Sequence, residues 1–253
     1  MYRNANFILG VVVTISMATS SSATSPSVTR PASEPVAKQA DFLATLEQTI
    51  HTARAASHRL SNDRTELLDA AANQIASALR SHGEVELACI CTHNSRRSHL
   101  TQIWATVAAA EAGIDGVRCV SGGTESTACN PRIIATLRRA GFAVAAEDAT
   151  AGNPRYWLQF ATDRPSLRLY SKRYDDATTT DHFVAMMCCS DADESCPVIP
   201  GAAARVPLHY TDPKISDGTE VEAATYDERR DQIAAEMFYV MRAVASSSFA
   251  SRK

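Results

Sequence analysis

The feature that most constrains this chain is an apolar segment that ends in a cysteine and leads directly into a helical pattern. The segment 85–91 is short and mainly apolar, with the composition of a buried strand. Apolar residues then recur at helical spacing, with Leu100, Ile103, Trp104 and Val107 on one face. This strand-to-helix alternation continues downstream and predicts a parallel sheet covered by helices on both faces.

The loop between this strand and helix has the residue types that bind an oxyanion. Cys91 closes the strand, Arg97 follows after five intervening residues, and Ser98 comes next. The N–H groups of such a loop, together with the helix dipole, attract an anion. Arg97 can grip two oxygens in a planar fork, and the same positive field favours Cys91 as a reactive thiolate. The alternative is inert packing, which we expect for Cys89.

The loop resembles the phosphate loop of low-molecular-weight tyrosine phosphatases and of the related thioredoxin-coupled arsenate reductases. The resemblance extends over residues 84–244 and includes the glycine-containing run 121–125 and the helix start at Asn130-Pro131. It implies that Cys91 is the nucleophile and that the following loop binds substrate. The implied substrate-binding residues are Thr92, His93, Asn94, Ser95, Arg96, Arg97 and Ser98.

A second pair of cysteines follows a second apolar strand. Cys189 ends that strand, and a polar loop of six residues separates it from Cys196. The pair fits a zinc site poorly, because no further ligand lies at short spacing. A static disulfide and a redox relay both remain open. The resemblance to the reductases implies the relay, in which Cys189 attacks the Cys91 adduct and Cys196 then resolves it.

The general acid is assigned to Asp212 through the same resemblance. Asp212-Pro213 follows the last strand, and a carboxyl group there would protonate the departing oxygen. Asp-Pro is also an ordinary turn dipeptide. Both branches of the family carry an Asp-Pro on the corresponding loop.

Three positions depart from the family pattern. His93 replaces a glycine and adds a bulky titratable group to the loop. Arg96 replaces a cysteine, which removes one redox partner of Cys91 and adds positive charge. Gln102 stands where the reductases tend to carry a glutamate near a potassium site, so we predict no potassium there.

The N-terminal third lies outside the resemblance. Residues 1–23 predict a signal peptide, because Arg3 precedes an apolar run and small residues follow. An uncleaved membrane anchor and a cytoplasmic location with a misassigned start are the alternatives, and sequencing the mature N-terminus distinguishes them. Residues 24–36 predict a flexible linker. Residues 37–82 carry two apolar helical stripes and predict a helical extension.

The expected architecture is an α/β domain over residues 83–246, with four parallel strands and a phosphatase-like topology. Aromatic and apolar runs around residues 154–174, separated by the turn signal Asp163-Arg164-Pro165, predict an inserted β-hairpin. A terminal amphipathic helix is expected from Tyr226 to Val244. The active site should lie at the C-terminal ends of the strands.

The predicted function is arsenate reduction, with a thioredoxin-like reductant as partner and no metal or organic cofactor. Hydrolysis of aryl phosphates or phosphotyrosine is the first alternative, and a non-catalytic phosphate- or arsenate-binding module is the second. A net charge of -3 argues against nucleic acid. Once the signal is removed, no membrane partner is expected.

Overall fold

A computed structural model describes residues 40–195 and 198–250, and a four-stranded parallel sheet forms its centre. In chain order the strands are β1 (Val85–Cys91), β2 (Val117–Gly123), β3 (Ala143–Asp148), β4 (Arg155–Gln159), β5 (Leu167–Leu169), β6 (Phe183–Met187) and β7 (Ala202–Pro207). The parallel strands run in the order β2-β1-β6-β7. Every residue of β1 is buried, which its apolar sequence on both faces anticipates for a central strand.

Helices surround this sheet. They are α1 (Ala44–Ala56), α2 (Asn62–His82), α3 (Arg97–Glu111), α4 (Pro131–Ala140), α5 (Tyr174–Ala177), α6 (Ser190–Ser195) and α7 (Glu222–Ala250), with a 3-10 turn at Pro213–Ser216. The long helix α7 packs against α1, α2, α3 and α4. Its inward face carries Ile233, Met237, Val240, Met241 and Val244, all fully buried as predicted.

The predicted fold class is confirmed. The four parallel strands, the N-terminal helical extension and an antiparallel β4–β5 hairpin are all present. The sequence analysis missed β3, which pairs with β4 to make the hairpin a three-stranded sheet. Its alanine-rich sequence lacks the β-branched and aromatic residues that signal a strand. Helix α2 begins at Asn62 after Ser61.

The N-terminal extension is fitted closely to the domain at Gly141, the residue that ends α4. Gly141 has a φ of 104°, and a β-carbon there would lie 2.0 Å from the carbonyl oxygen of Thr45 in α1. Only glycine allows both the backbone conformation and this approach. The Thr45 hydroxyl donates to the Gly141 carbonyl at 2.7 Å, so α1 is joined directly to the end of α4.

Because β1, β6 and β7 are parallel, the loops that follow them emerge at one edge of the sheet. The predicted signal peptide and linker lie outside the described residues. Within the described ranges, no helix combines the length and apolar character needed to cross a bilayer.

Candidate active site

The loop after β1 is held in shape by Asn94. This residue has a positive φ of 44°, a conformation that asparagine tolerates better than most side chains. Its amide nitrogen donates to Ser98 Oγ at 2.9 Å, and its amide oxygen accepts from the backbone N–H of Lys172 at 3.0 Å. Asn94 is completely buried, so these bonds satisfy a polar group that has no access to solvent.

Ser98 faces the sulfur of Cys91. The distance from Ser98 Oγ to Cys91 Sγ is 3.0 Å. Either atom can be the donor of this contact, and the Ser98 hydroxyl can donate to the sulfur while its oxygen accepts from Asn94. A negatively charged sulfur would accept that hydrogen bond, so the arrangement suits a thiolate at Cys91.

Four of the described cysteines are in positions where burial disfavours their charged form. Burial raises the pKa of Cys89 and Cys188 well above the ordinary value, and neighbouring cysteines add to both shifts. Burial also raises the pKa of Cys119 and Cys129 to about 12. These four thiols are therefore neutral near pH 7 and are poor nucleophiles.

We expect iodoacetamide at pH 6.5 to alkylate Cys91 much faster than Cys89, because the loop and Ser98 favour a thiolate only at Cys91. Inorganic phosphate should protect Cys91 by filling the loop. Fragment mass spectrometry of the peptide that carries both cysteines measures the two rates. Equal labelling of the two thiols, unchanged by phosphate, would exclude Cys91 as the nucleophile.

Arg97 joins this loop to the segment that follows β7. Its Nη1 donates to the carbonyl oxygen of Tyr210 at 2.9 Å, and its Nη2 lies 3.0 Å from Oδ2 of Asp212. The two predicted residues, arginine and acid, therefore meet although they are distant in sequence. These two contacts hold the Arg97 guanidinium in a fixed orientation between the Tyr210 carbonyl and the Asp212 carboxylate.

Arg96 has a different role from its neighbour. Its Nε donates to the hydroxyl of Tyr226 at 3.0 Å, and its Nη2 lies 3.8 Å from Asp217. Its Nε is also 3.9 Å from Asp212. The Arg96 side chain thus joins the loop to α7 and places a positive charge beside Asp212. Its contribution to anion binding therefore comes mainly through the backbone N–H groups of the loop.

The side chains of Ser95 and His93 contact the segment that follows β2. Ser95 Oγ donates to the carbonyl of Ala128 at 2.7 Å. The His93 side chain is half exposed and lies 3.5 Å from the Glu125 carboxylate. The N-cap residue of α3 is Arg96, whose side chain makes no capping hydrogen bond, and the N-terminus of a helix favours an anion.

Cys189 lies against the same loop. Its buried Sγ is 3.5 Å from Thr92 Oγ1, one residue beyond Cys91, and Cys189 is a free thiol. The short helix α6 follows it, and Asp193 in α6 lies 2.8 Å from His209 Nε2 and 2.6 Å from Arg205 Nη2. The structure therefore brings Cys189 to the predicted site. Cys196, the last predicted member of the relay, lies outside the described residues.

Comparisons with known proteins give structural matches only. No protein-family model matches the chain, and no curated protein matches it significantly. An arsenate reductase solved in the phosphate binding state is 15% identical, with a TM-score of 0.37 over 63% of this chain and 98% of its own. A low-molecular-weight phosphotyrosine phosphatase from Vibrio cholerae O395 is 13% identical, with a TM-score of 0.38 over 62% and 94%.

A thioredoxin-dependent arsenate reductase from Corynebacterium glutamicum is 14% identical, with a TM-score of 0.33 over 75% of this chain and 80% of its own. Identities and TM-scores this low leave the function to be inferred from the site itself.

Two parts of the site were missed by sequence reasoning. The first is the segment after β5, where the Ser171 hydroxyl donates to the His93 carbonyl at 2.8 Å and Lys172 N–H binds Asn94. This segment supports the loop with a hydroxyl and a backbone N–H, which have no distinctive sequence signature.

The second is the tight contact at Gly123, the last residue of β2. A β-carbon at Gly123 would lie 2.6 Å from the Thr92 carbonyl oxygen and 2.8 Å from the Asn94 nitrogen. Glycine here lets the loop lie directly on the end of β2. The Gly122-Gly123 pair in the sequence was the available signal.

No group of three or more metal-binding side chains occurs in the described part of the chain. Gln102 is buried, and its amide nitrogen donates to the Cys119 carbonyl at 3.2 Å. This bond joins α3 to β2, so Gln102 is part of the packing between these two elements.

Proposed function

We propose that the protein is a phosphatase-like cysteine enzyme that reduces arsenate to arsenite. Cys91, Arg97 and Asp212 supply the nucleophile, the anion-binding group and the general acid. The observation that carries the reductase assignment is the position of Cys189, a second free thiol 3.5 Å from the loop residue Thr92. Simple ester hydrolysis has no use for a thiol at this position.

In the first step, the Cys91 thiolate attacks arsenic and forms a sulfur–arsenic bond. Arg97 and the loop N–H groups hold the remaining oxygens. When the oxyanion takes the place of the Asp212 carboxylate at Arg97, Asp212 takes up a proton from solvent and gives it to the departing hydroxyl, which leaves as water. Arsenic stays in the +5 oxidation state during this exchange.

In the second step, the Cys189 thiolate attacks the Cys91 sulfur. A disulfide forms, the sulfur–arsenic bond breaks, and its electron pair reduces arsenic to arsenite. Cys196 then attacks Cys189 and frees Cys91. A thioredoxin-like dithiol then reduces the resulting Cys189–Cys196 disulfide and so supplies the two electrons consumed.

Hydrolysis of aryl phosphates is the second candidate. The contact of Arg97 with Asp212 favours it equally, because these two groups and Cys91 suffice when water attacks a cysteinyl phosphate. A non-catalytic anion-binding module is the third candidate. Any turnover of p-nitrophenyl phosphate excludes it.

The deciding experiment measures two activities of the wild-type protein side by side. We expect arsenite release in the presence of thioredoxin, thioredoxin reductase and NADPH, together with slower hydrolysis of p-nitrophenyl phosphate. The matched control omits thioredoxin, which should stop continued arsenite release and leave ester hydrolysis unchanged. Ester hydrolysis without any arsenite would establish the phosphatase instead.

Export of the mature enzyme is part of the proposal, and it rests on the apolar N-terminal run. An oxidising compartment would hold Cys189 and Cys196 as a disulfide unless a dedicated reductant reaches them. The proposal therefore requires a thioredoxin-like reductant in the same compartment.

A further inference from the structure

A partly buried ion pair joins the N-terminal extension to α7, and its arginine also contacts the segment that leads to Asp212. Arg64, in the first turn of α2, binds Glu236 of α7 through two bonds, Nε to Oε1 at 2.9 Å and Nη2 to Oε2 at 2.6 Å. Glu236 is almost completely buried, and Gln232 also donates to it at 3.0 Å. Both oxygens of the carboxylate are therefore engaged, which fixes the plane of the guanidinium.

The same guanidinium lies over the aromatic ring of Tyr210, 5.3 Å from the ring centre. The ring is buried, and both burial and the nearby charge of Glu236 raise the pKa of its hydroxyl well above the ordinary value. Tyr210 therefore remains a neutral ring. A cation held over a buried aromatic face attracts it and restricts its position.

The backbone of Tyr210 is in turn part of the active site. Its N–H donates to the carbonyl of Cys188 at 3.0 Å, beside Cys189. Its carbonyl accepts from Arg97 Nη1 at 2.9 Å. Asp212 follows two residues later. A shift of the Tyr210 ring would thus move the acceptor that orients Arg97 and the start of the acid segment.

We propose that Arg64 is a positioning residue that sets the Tyr210 backbone and thereby orients Arg97 and Asp212. The inference rests on the proposed function, because it assigns a role to the extension within that same site. Under this proposal, α2 helps to hold Arg97 and Asp212 in their orientation. A purely structural extension would stabilise the domain without affecting the orientation of Arg97.

The test uses the paired variant R64M/E236M, since removing Arg64 alone would leave the buried Glu236 unpaired. The matched control is R54M/E111M, which removes a pair between α1 and α3 whose Nη1 to Oε1 distance is 3.0 Å. That pair also joins the extension to the domain, but it does not contact Tyr210.

We expect R64M/E236M to lower kcat for p-nitrophenyl phosphate by about tenfold to a hundredfold, since small displacements of catalytic groups have effects of this size. Its affinity for inorganic phosphate, measured by calorimetry, should fall as well. The Arg54 control should retain wild-type values. Thermal melting of each variant checks that the protein is folded at the assay temperature.

The outcomes separate the two proposals. Wild-type protein that neither binds phosphate nor hydrolyses the ester would refute the proposed function. If the wild type does both and folded R64M/E236M matches the Arg54 control in kcat and phosphate affinity, the positioning role is wrong. Should R64M/E236M fail to fold, R64K provides the same test, because it keeps the charge but loses the bidentate contact with Glu236. A folded R64K with wild-type kcat and phosphate affinity would also refute the role.

Discussion

Replacing Arg97 by lysine is expected to lower kcat/KM for p-nitrophenyl phosphate by about a hundredfold to a thousandfold, in line with the loss of one preorganised group that stabilises transition-state charge. Arg97 uses one nitrogen for the Tyr210 carbonyl and presents another to the position now held by Asp212. A lysine ammonium is a single charged point and cannot satisfy both partners in a fixed plane. Steady-state kinetics and calorimetric titration with inorganic phosphate measure the effect.

The matched control for this variant is Arg168→Lys. Arg168 lies on β5 and pairs with Glu147 at 2.8 Å, at an exposed position. Such a pair contributes little to stability or charge at the loop, so the control should keep wild-type kinetics. Normal phosphate affinity in Arg97→Lys would mean that the anion binds elsewhere on the protein.

Replacing Cys189 by serine is expected to reduce thioredoxin-dependent arsenite release to the background rate. No thiol would then be available at the edge of the loop to attack the Cys91 adduct. Hydrolysis of p-nitrophenyl phosphate should remain within about threefold of wild type, because it needs only Cys91, Arg97 and Asp212. Cys196→Ser should instead complete one cycle and trap a Cys91–Cys189 disulfide, which mass spectrometry under non-reducing conditions detects.

Cys119→Ser is the control for loss of a thiol. Burial raises the pKa of Cys119 to about 12, and this residue lies in β2, away from the relay. Both activities should survive its replacement. Continued arsenite release by Cys189→Ser would contradict the relay and leave Cys189 as a packing residue.

The sequence allowed the fold to be predicted because its strongest signals were local. The apolar run of β1, the Asn130 cap with Pro131, and the glycine that ends α4 each specify a short piece of backbone. The approach of Cys189 and Asp212 to the loop followed from parallel strands whose C-terminal ends share one edge.

The contacts that could not be predicted depend on tertiary packing. The support of Asn94 by Lys172 involves a backbone N–H, which every non-proline residue carries. The stacking of Arg64 on Tyr210 joins residues far apart in sequence, and neither belongs to a local motif. The strand β3 pairs only because β4 lies beside it, since its own propensity is weak.

The arrangement of the sheet has a consequence for the order in which the molecule acquires reactivity. Thr92 and Cys189 are 97 residues apart in sequence and meet only because β1 and β6 are neighbours. The chain must close a long loop, which includes the three-stranded hairpin sheet, before this contact can form, and that closure has an entropic cost. A nascent chain released only as far as the hairpin therefore carries Cys91 and Arg97 without Cys189 or Asp212. These four residues come together only after the chain has been synthesised beyond Asp212.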